Sequence, residues 1–74
     1  MYRLNPDVVI RTCLDRAFYI NIRSNVVIAT NVGLKEDLIR ELENGLYKEE
    51  LQNKPDFFRN IIFFLEDNTI LEVI

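Results

Sequence analysis

The 74-residue chain predicts an α+β domain, a three-stranded antiparallel sheet followed by three helices, on two changes of pattern and one of scale. The segment "DVVIRTCLDRAFYINIRSNVVIATN" is three β-rich runs separated by short polar breaks, "DRA" and "SN", which is how a meander reads. From "NVGLKEDLIRELENG" onward the apolar spacing switches from two to three and four, the period of helices. A chain of this length makes one domain, residues 1–74, close to the size at which apolar burial only just outweighs the entropy of ordering, so every large apolar group matters.

In the first run Val8, Ile10, Thr12 and Leu14 alternate with Val9, Arg11 and Cys13; in the second Phe18, Ile20 and Ile22 alternate with Tyr19, Asn21 and Arg23. A three-residue loop over Asp15 to Ala17 would set Leu14 against Phe18, Thr12 against Ile20 and Ile10 against Ile22, gathering one apolar face. The third run, "VVIATN", is apolar on both sides, with Val26 and Ile28 opposite Val27 and Ala29. A strand apolar on both faces is normally covered on both, yet this one comes last in the meander, with one row of backbone groups unpaired.

Leu34, Leu38 and Leu42, with Ile39 beside them, form the buried stripe of the first helix; Glu36 and Asp37 suit its first turn and Asn44-Gly45 its stop. "LYKEELQN" predicts a short second helix that packs Leu46, Tyr47 and Leu51. Pro55 and Asp56 open a third, which runs to Glu66 or Asp67 before Asn68 and Thr69 break it. The tail "ILEVI" fits either a short strand or an irregular cap over the core.

The third helix, "PDFFRNIIFFLED", is apolar on more of its circumference than one core contact uses. Phe58, Ile61, Ile62 and Leu65 make the stripe expected against a core. Phe57 and Phe64, seven apart, form a second ridge with Asn60 and Ile61 between them, while Phe63 points further round, toward Arg59. A helix on one sheet buries only a stripe, so the second ridge calls for a partner, either a ligand, a second copy or the tail.

Composition removes several kinds of chemistry. The chain has no histidine and one cysteine, which leaves neither a zinc set nor a His-dependent triad. Cys13, inside "VVIRTCL", is read as a small strand residue rather than a reactive thiol, and adjacent pairs such as Glu49-Glu50 and Glu66-Asp67 as solvated helix faces. Gly33 and Gly45 belong to no phosphate-cradling pattern. The net charge is −3, with four basic and two acidic residues over 1–33 against five and ten over the remainder. Scattered basic groups in an acidic chain oppose binding of a phosphate backbone, so no nucleic acid is expected. No apolar run approaches the roughly 20 residues of a membrane span, and "MYRLNPDVVI" resembles no signal peptide, so the protein is expected in the cytoplasm and off the membrane.

Strand order, the "ATN" leading into "LKEDLIRELENG", and the closing pattern of Ile61, Ile62, Leu65, Ile70 and Leu71 together resemble the small proteins similar to pyrroloquinoline quinone biosynthesis protein D, the PqqD-like precursor-peptide recognition elements. The resemblance spans nearly the whole chain. Thr30 departs from it where the family often has an apolar residue, and Thr69 where it often has glycine. It implies a winged helix-turn-helix-like fold with no enzymatic activity and no cofactor. Such a domain holds the leader segment of a ribosomally made precursor peptide for a modifying enzyme, such as a radical enzyme, a cyclase or a protease. Carried over, it places the leader as an added strand along Val26, Val27, Ile28, Ala29, Thr30 and Asn31, against a helical wall of Phe57, Asn60, Ile61 and Phe64. Arg11 and Arg23 would then favour acidic leader residues, beside the plainer reading as surface charge.

Two other functions compete. A homodimeric accessory subunit would use the same apolar edge or helix. A winged-helix transcription regulator needs a basic recognition helix, and "PDFFRNIIFFLED" has one arginine against three acids, which ranks that reading last.

Overall fold

Two adjacent hairpins build the sheet. In the computed structural model, which describes residues 1–74, β2 (Val8–Cys13), β3 (Arg16–Asn21) and β4 (Val26–Asn31) pair antiparallel in the order β2-β3-β4. They are preceded by β1 (Tyr2–Leu4) and followed by α1 (Val32–Glu43), a 3-10 helix over Lys48–Asn53, α2 (Asp56–Asp67) and β5 (Leu71–Val73). The chain is thus a small α+β domain with a three-stranded antiparallel sheet and helices packed against it.

The first hairpin corrects the expected register. Its loop has two residues, Leu14 and Asp15, and sets Cys13 opposite Arg16, Thr12 opposite Ala17, Ile10 opposite Tyr19 and Val8 opposite Asn21. The offset is odd, so every side chain of β3 turns to the other face from the one expected. Ala17, Tyr19 and Asn21 enter the core, and Ile22 lies exposed in the next turn. Two-residue hairpins usually announce themselves by Asn-Gly or Gly at the turn; here Leu14 takes a positive φ of 57° instead, an unfavourable conformation for a branched side chain.

Polar tips made Tyr19 and Asn21 look outward-facing, and both are satisfied inside. The Tyr19 hydroxyl lies 2.9 Å from Thr30 Oγ1. Asn21 Nδ2 donates to the Thr69 carbonyl at 2.8 Å, while its Oδ1 accepts the backbone N–H groups of Arg23 and Ser24, both at 3.0 Å. No buried side-chain nitrogen or oxygen lacks a partner.

Asn31 ends β4 and caps α1, its side chain accepting the Leu34 N–H at 2.6 Å. The helix therefore starts at Val32, and Glu36 and Asp37 fall beyond the first turn expected for them. Asn44 closes it, and Gly45 follows with φ 89°, the left-handed conformation glycine enters at no steric cost. The second helix is a 3-10 helix that buries Leu51; Tyr47, expected to pack, stands exposed at its start, whereas Leu46 is buried.

The tail forms a strand, and its partner is an element the sequence pattern does not reveal. β5 pairs antiparallel with β1, Leu4 opposite Leu71 and Tyr2 opposite Val73, so the two ends of the chain close the core together. Three residues are too few to show alternation, and the pairing partner is distant in sequence. Tyr2, Leu38, Leu46, Leu51, Ile62, Leu65, Ile70 and Leu71 meet Ala17 and Tyr19 in one core.

Tyr2 donates its phenolic proton to Glu66 Oε1 at 2.8 Å, and Glu66 also lies 3.7 Å from Lys48 Nζ. Burial first, and the carboxylate second, push the phenol's proton loss well above its usual range; burial also raises that of Tyr19, where the Thr30 hydrogen bond opposes it. Above pH of about 10 the unfolded chain releases these protons and the folded one keeps them, so stability is intact below about pH 10 and falls above it. Tyr2→Phe is expected to cost about 1 kcal/mol at neutral pH and to flatten that alkaline decline, as read by thermal melts from pH 7 to 11. An unchanged alkaline slope in the variant would remove Tyr2 as its source.

Candidate functional site

Strand β4 is an edge of the sheet, with β3 on one side only. The ladder continues past it: Val32 N–H donates to the Asp15 carbonyl at 3.0 Å, so Val32 turns its backbone toward β3. Antiparallel pairs alternate, and Thr30, Ile28 and Val26 must do the same, leaving Val27, Ala29 and Asn31 with their backbone groups on the open side. The Asn31 carbonyl belongs to the start of α1, as an N-cap carbonyl does. What the edge offers a newcomer is the N–H and C=O of Val27 and Ala29 and the N–H of Asn31.

Side chains divide accordingly. Val26, Ile28 and Thr30 are half-buried on the inner face, and Val27, Ala29 and Asn31 are exposed on the outer one. Charge, proline and bulges usually blunt an exposed edge, and "VVIATN" carries no charge and no proline.

α2 starts after Pro55, and Asp56 in its first turn pairs with Arg59. Its two ridges are those its spacing predicts. Ile62 and Leu65 are buried and Phe58 and Ile61 pack at the core margin, whereas Phe57 is 72% exposed and Phe64 52%. Asn60 is exposed between them, and Phe63 is partly exposed on its own side.

The two features are tied at one end. Beyond the last turn of α2, Thr69 accepts from Asn21 and lies 2.9 Å from Ser24 Oγ, holding the helix terminus at the β3–β4 turn. Phe64 belongs to that last stretch, since its carbonyl accepts the Asn68 side chain at 2.8 Å. The Phe64 end of α2 is thus fixed at the turn from which β4 begins, and Phe57 lies about 10 Å further along the helix axis. Of the residues the sequence singled out, Val26, Ile28 and Ile61 each pack against the margin of the one core. Phe57, Asn60 and Phe64 stand outside it, and Asn31 is held at the far end of β4 as the cap of α1.

Elsewhere, a cleft of about 300 Å³ between β1 and α1, lined by Met1, Leu4, Ile39 and Leu42 among others, includes none of these residues. No three His, Cys, Asp or Glu side chains cluster closely enough to hold a metal ion, and no helix is long and apolar enough to cross a membrane. The misplaced register hid a further surface: Val9, Phe18 and Ile20 line the outer face of the sheet beside Val27 and Ala29. Its sequence signal is the unbroken "CLDR", which admits a two-residue loop as readily as a longer one.

Comparison with protein-family models, with curated proteins and with solved structures returned no match to this chain.

Proposed function

We propose that the domain binds the leader segment of a ribosomally synthesised precursor peptide by strand addition to β4 and presents it to a modifying enzyme, such as a radical enzyme, a cyclase or a protease. The observation that carries this reading is the uncharged, unblocked edge of β4, with the exposed Phe64 of α2 held at the turn where that strand begins. Backbone pairing with Val27, Ala29 and Asn31 supplies affinity that is largely blind to sequence; alternate side chains of the leader, laid toward Ile61, Phe57 and Phe64, supply selectivity. Aromatic rings give wide, rigid contact for that purpose.

A winged helix-turn-helix-like arrangement accords with the chain order of sheet, α1, 3-10 helix and α2. Thr69 adds support. It stands where the resembled family often has glycine, and it adopts φ 63°, a conformation that favours glycine.

The reading is tested by titrating the isotope-labelled domain with synthetic peptides that tile the short reading frames neighbouring its gene. Saturable shifts at the Val27, Ala29 and Asn31 amides and at the Phe57 and Phe64 rings, with the domain monomeric throughout, are expected. Shifts confined to other surfaces reject it. A mass that doubles with concentration, with the β4 amides protected, points instead to two copies pairing through the same edge.

A further inference from the structure

We propose that the outer face of the sheet is a second docking surface, which takes an amphipathic helix with an acidic-flanked apolar stripe from a partner protein. The register sets Val9, Ile20 and Val27 in one row across this face, Arg11, Phe18 and Ala29 in the next, and Cys13, Arg16 and Asn31 in the third. The core lies behind the opposite face, where Ala17, Tyr19 and Asn21 are buried. Val27 is 58% exposed, Ala29 is exposed, and Phe18 and Ile20 are half-buried by their strand neighbours.

Charge identifies the occupant. Six of the nine lysines and arginines have a carboxylate within 4 Å. Arg11 and Arg16 have none and share this face as diagonal neighbours; Lys35, the third unpaired one, is on α1. None of the chain's 12 acidic residues lies in β2, β3 or β4. A chain that is acidic overall therefore keeps two uncompensated arginines beside an exposed apolar belt, and the complement is an apolar surface flanked by carboxylates, which guanidinium groups bind in paired hydrogen bonds.

A second copy fits poorly. Placed face to face, two such sheets would enclose four arginines with no carboxylate from their strands. Laying the face on the acidic α2 of another copy makes a heterologous contact, which builds a ring or a filament rather than a closed pair. A strand is also the wrong shape, because its backbone groups are satisfied at an edge and not on a sheet face, whereas a helix satisfies its own and packs as a layer. The strand-addition edge uses the backbone of β4, whereas this surface uses side chains on the outer face of all three strands.

The test is fluorescence anisotropy with the full chain and two labelled probes: an amphipathic helical peptide whose leucine stripe is flanked by glutamates, and its counterpart with lysines in their place. The glutamate peptide should bind, more weakly as salt is raised, and the lysine peptide should not. The R11E/R16E double variant should lose roughly tenfold or more in affinity for the first and gain binding to the second. R11Q/R16Q, which introduces no new charge, should lose affinity for the first without gaining the second. Equal binding of both peptides, binding of neither, or an arginine variant that holds the glutamate peptide as tightly as the parent would overturn the proposal. Phe64→Asp, on α2 and away from this face, should leave this binding in place while weakening leader-peptide binding, so the two surfaces fail independently.

Discussion

Ile62→Asp is expected to unfold the domain, whereas Phe64→Asp, two residues on in the same helix, should leave it folded and weaken its hold on a peptide. Ile62 is 0% exposed, in one core cluster with Leu38, Leu65, Tyr2 of β1 and Leu71 of β5. Aspartate there removes the apolar contacts and leaves a carboxylate without a partner, a loss of about 4 kcal/mol or more. A domain of this size holds only on the order of 5 kcal/mol in all. Phe64 is half exposed, so the same substitution should cost about 1 kcal/mol, too little to unfold the domain. Its ring is a proposed wall of the peptide groove, and removing an aromatic anchor costs about 1.5 to 3 kcal/mol, or roughly tenfold to a hundredfold in affinity. Thermal melts followed by circular dichroism separate the two variants, and peptide titration completes the comparison. Unfolding of Phe64→Asp would mean that its ring is structural and that α2 has one functional face, not two.

The second prediction uses the backbone. Ala29→Pro should fold and should lose strand addition, while Ile28→Pro should not fold. The Ala29 N–H points to the open side, where proline removes no ladder bond; Ile28 ahead of it is already extended, as a residue before proline must be. The Ile28 N–H faces Tyr19 across the ladder, and proline there breaks that bond and removes a core-margin side chain, at about 3 kcal/mol or more. For a bound strand, Ala29→Pro deletes a donor from a row of only a few and puts a ring where the newcomer's backbone must lie. Affinity for the peptide should fall at least roughly tenfold. Retention of full affinity by a folded Ala29→Pro domain would exclude β4 as the pairing edge. Sedimentation of the parent chain distinguishes the alternative, since a dimer built on β4 pairing would dissociate in the same variant.

Both predictions depend on how much of the site is legible in local pattern. The division of α2 into two ridges follows from 3.6-residue periodicity, and the burial of Ile62 and Leu65 against the exposure of Phe57 and Phe64 agrees with it. The open edge of β4 follows from its place at the end of a meander and from its uncharged composition. By contrast, alternation selects Phe18, Ile20 and Ile22 for the apolar face of the sheet, and it is Ala17, Tyr19 and Asn21 that go inside. Hydrophobicity ranks Tyr and Asn below Phe and Ile, so alternation selects the wrong face whenever buried hydrogen bonds compensate the polar tips, as those from Thr30, Thr69 and the Arg23 and Ser24 amides do here.

What the amino-acid order determines by itself is therefore whatever is set within a few residues: the existence and type of the three long strands and two α-helices, the Gly45 stop and the two faces of α2. Propensity, capping and periodicity act at that range. Only the tertiary structure decides the hairpin register, the pairing of β1 with β5 and the inward turn of Asn21. Each depends on partners distant in the chain, Leu4 with Leu71 or Asn21 with Thr69, and their free energy appears only when the elements are packed together.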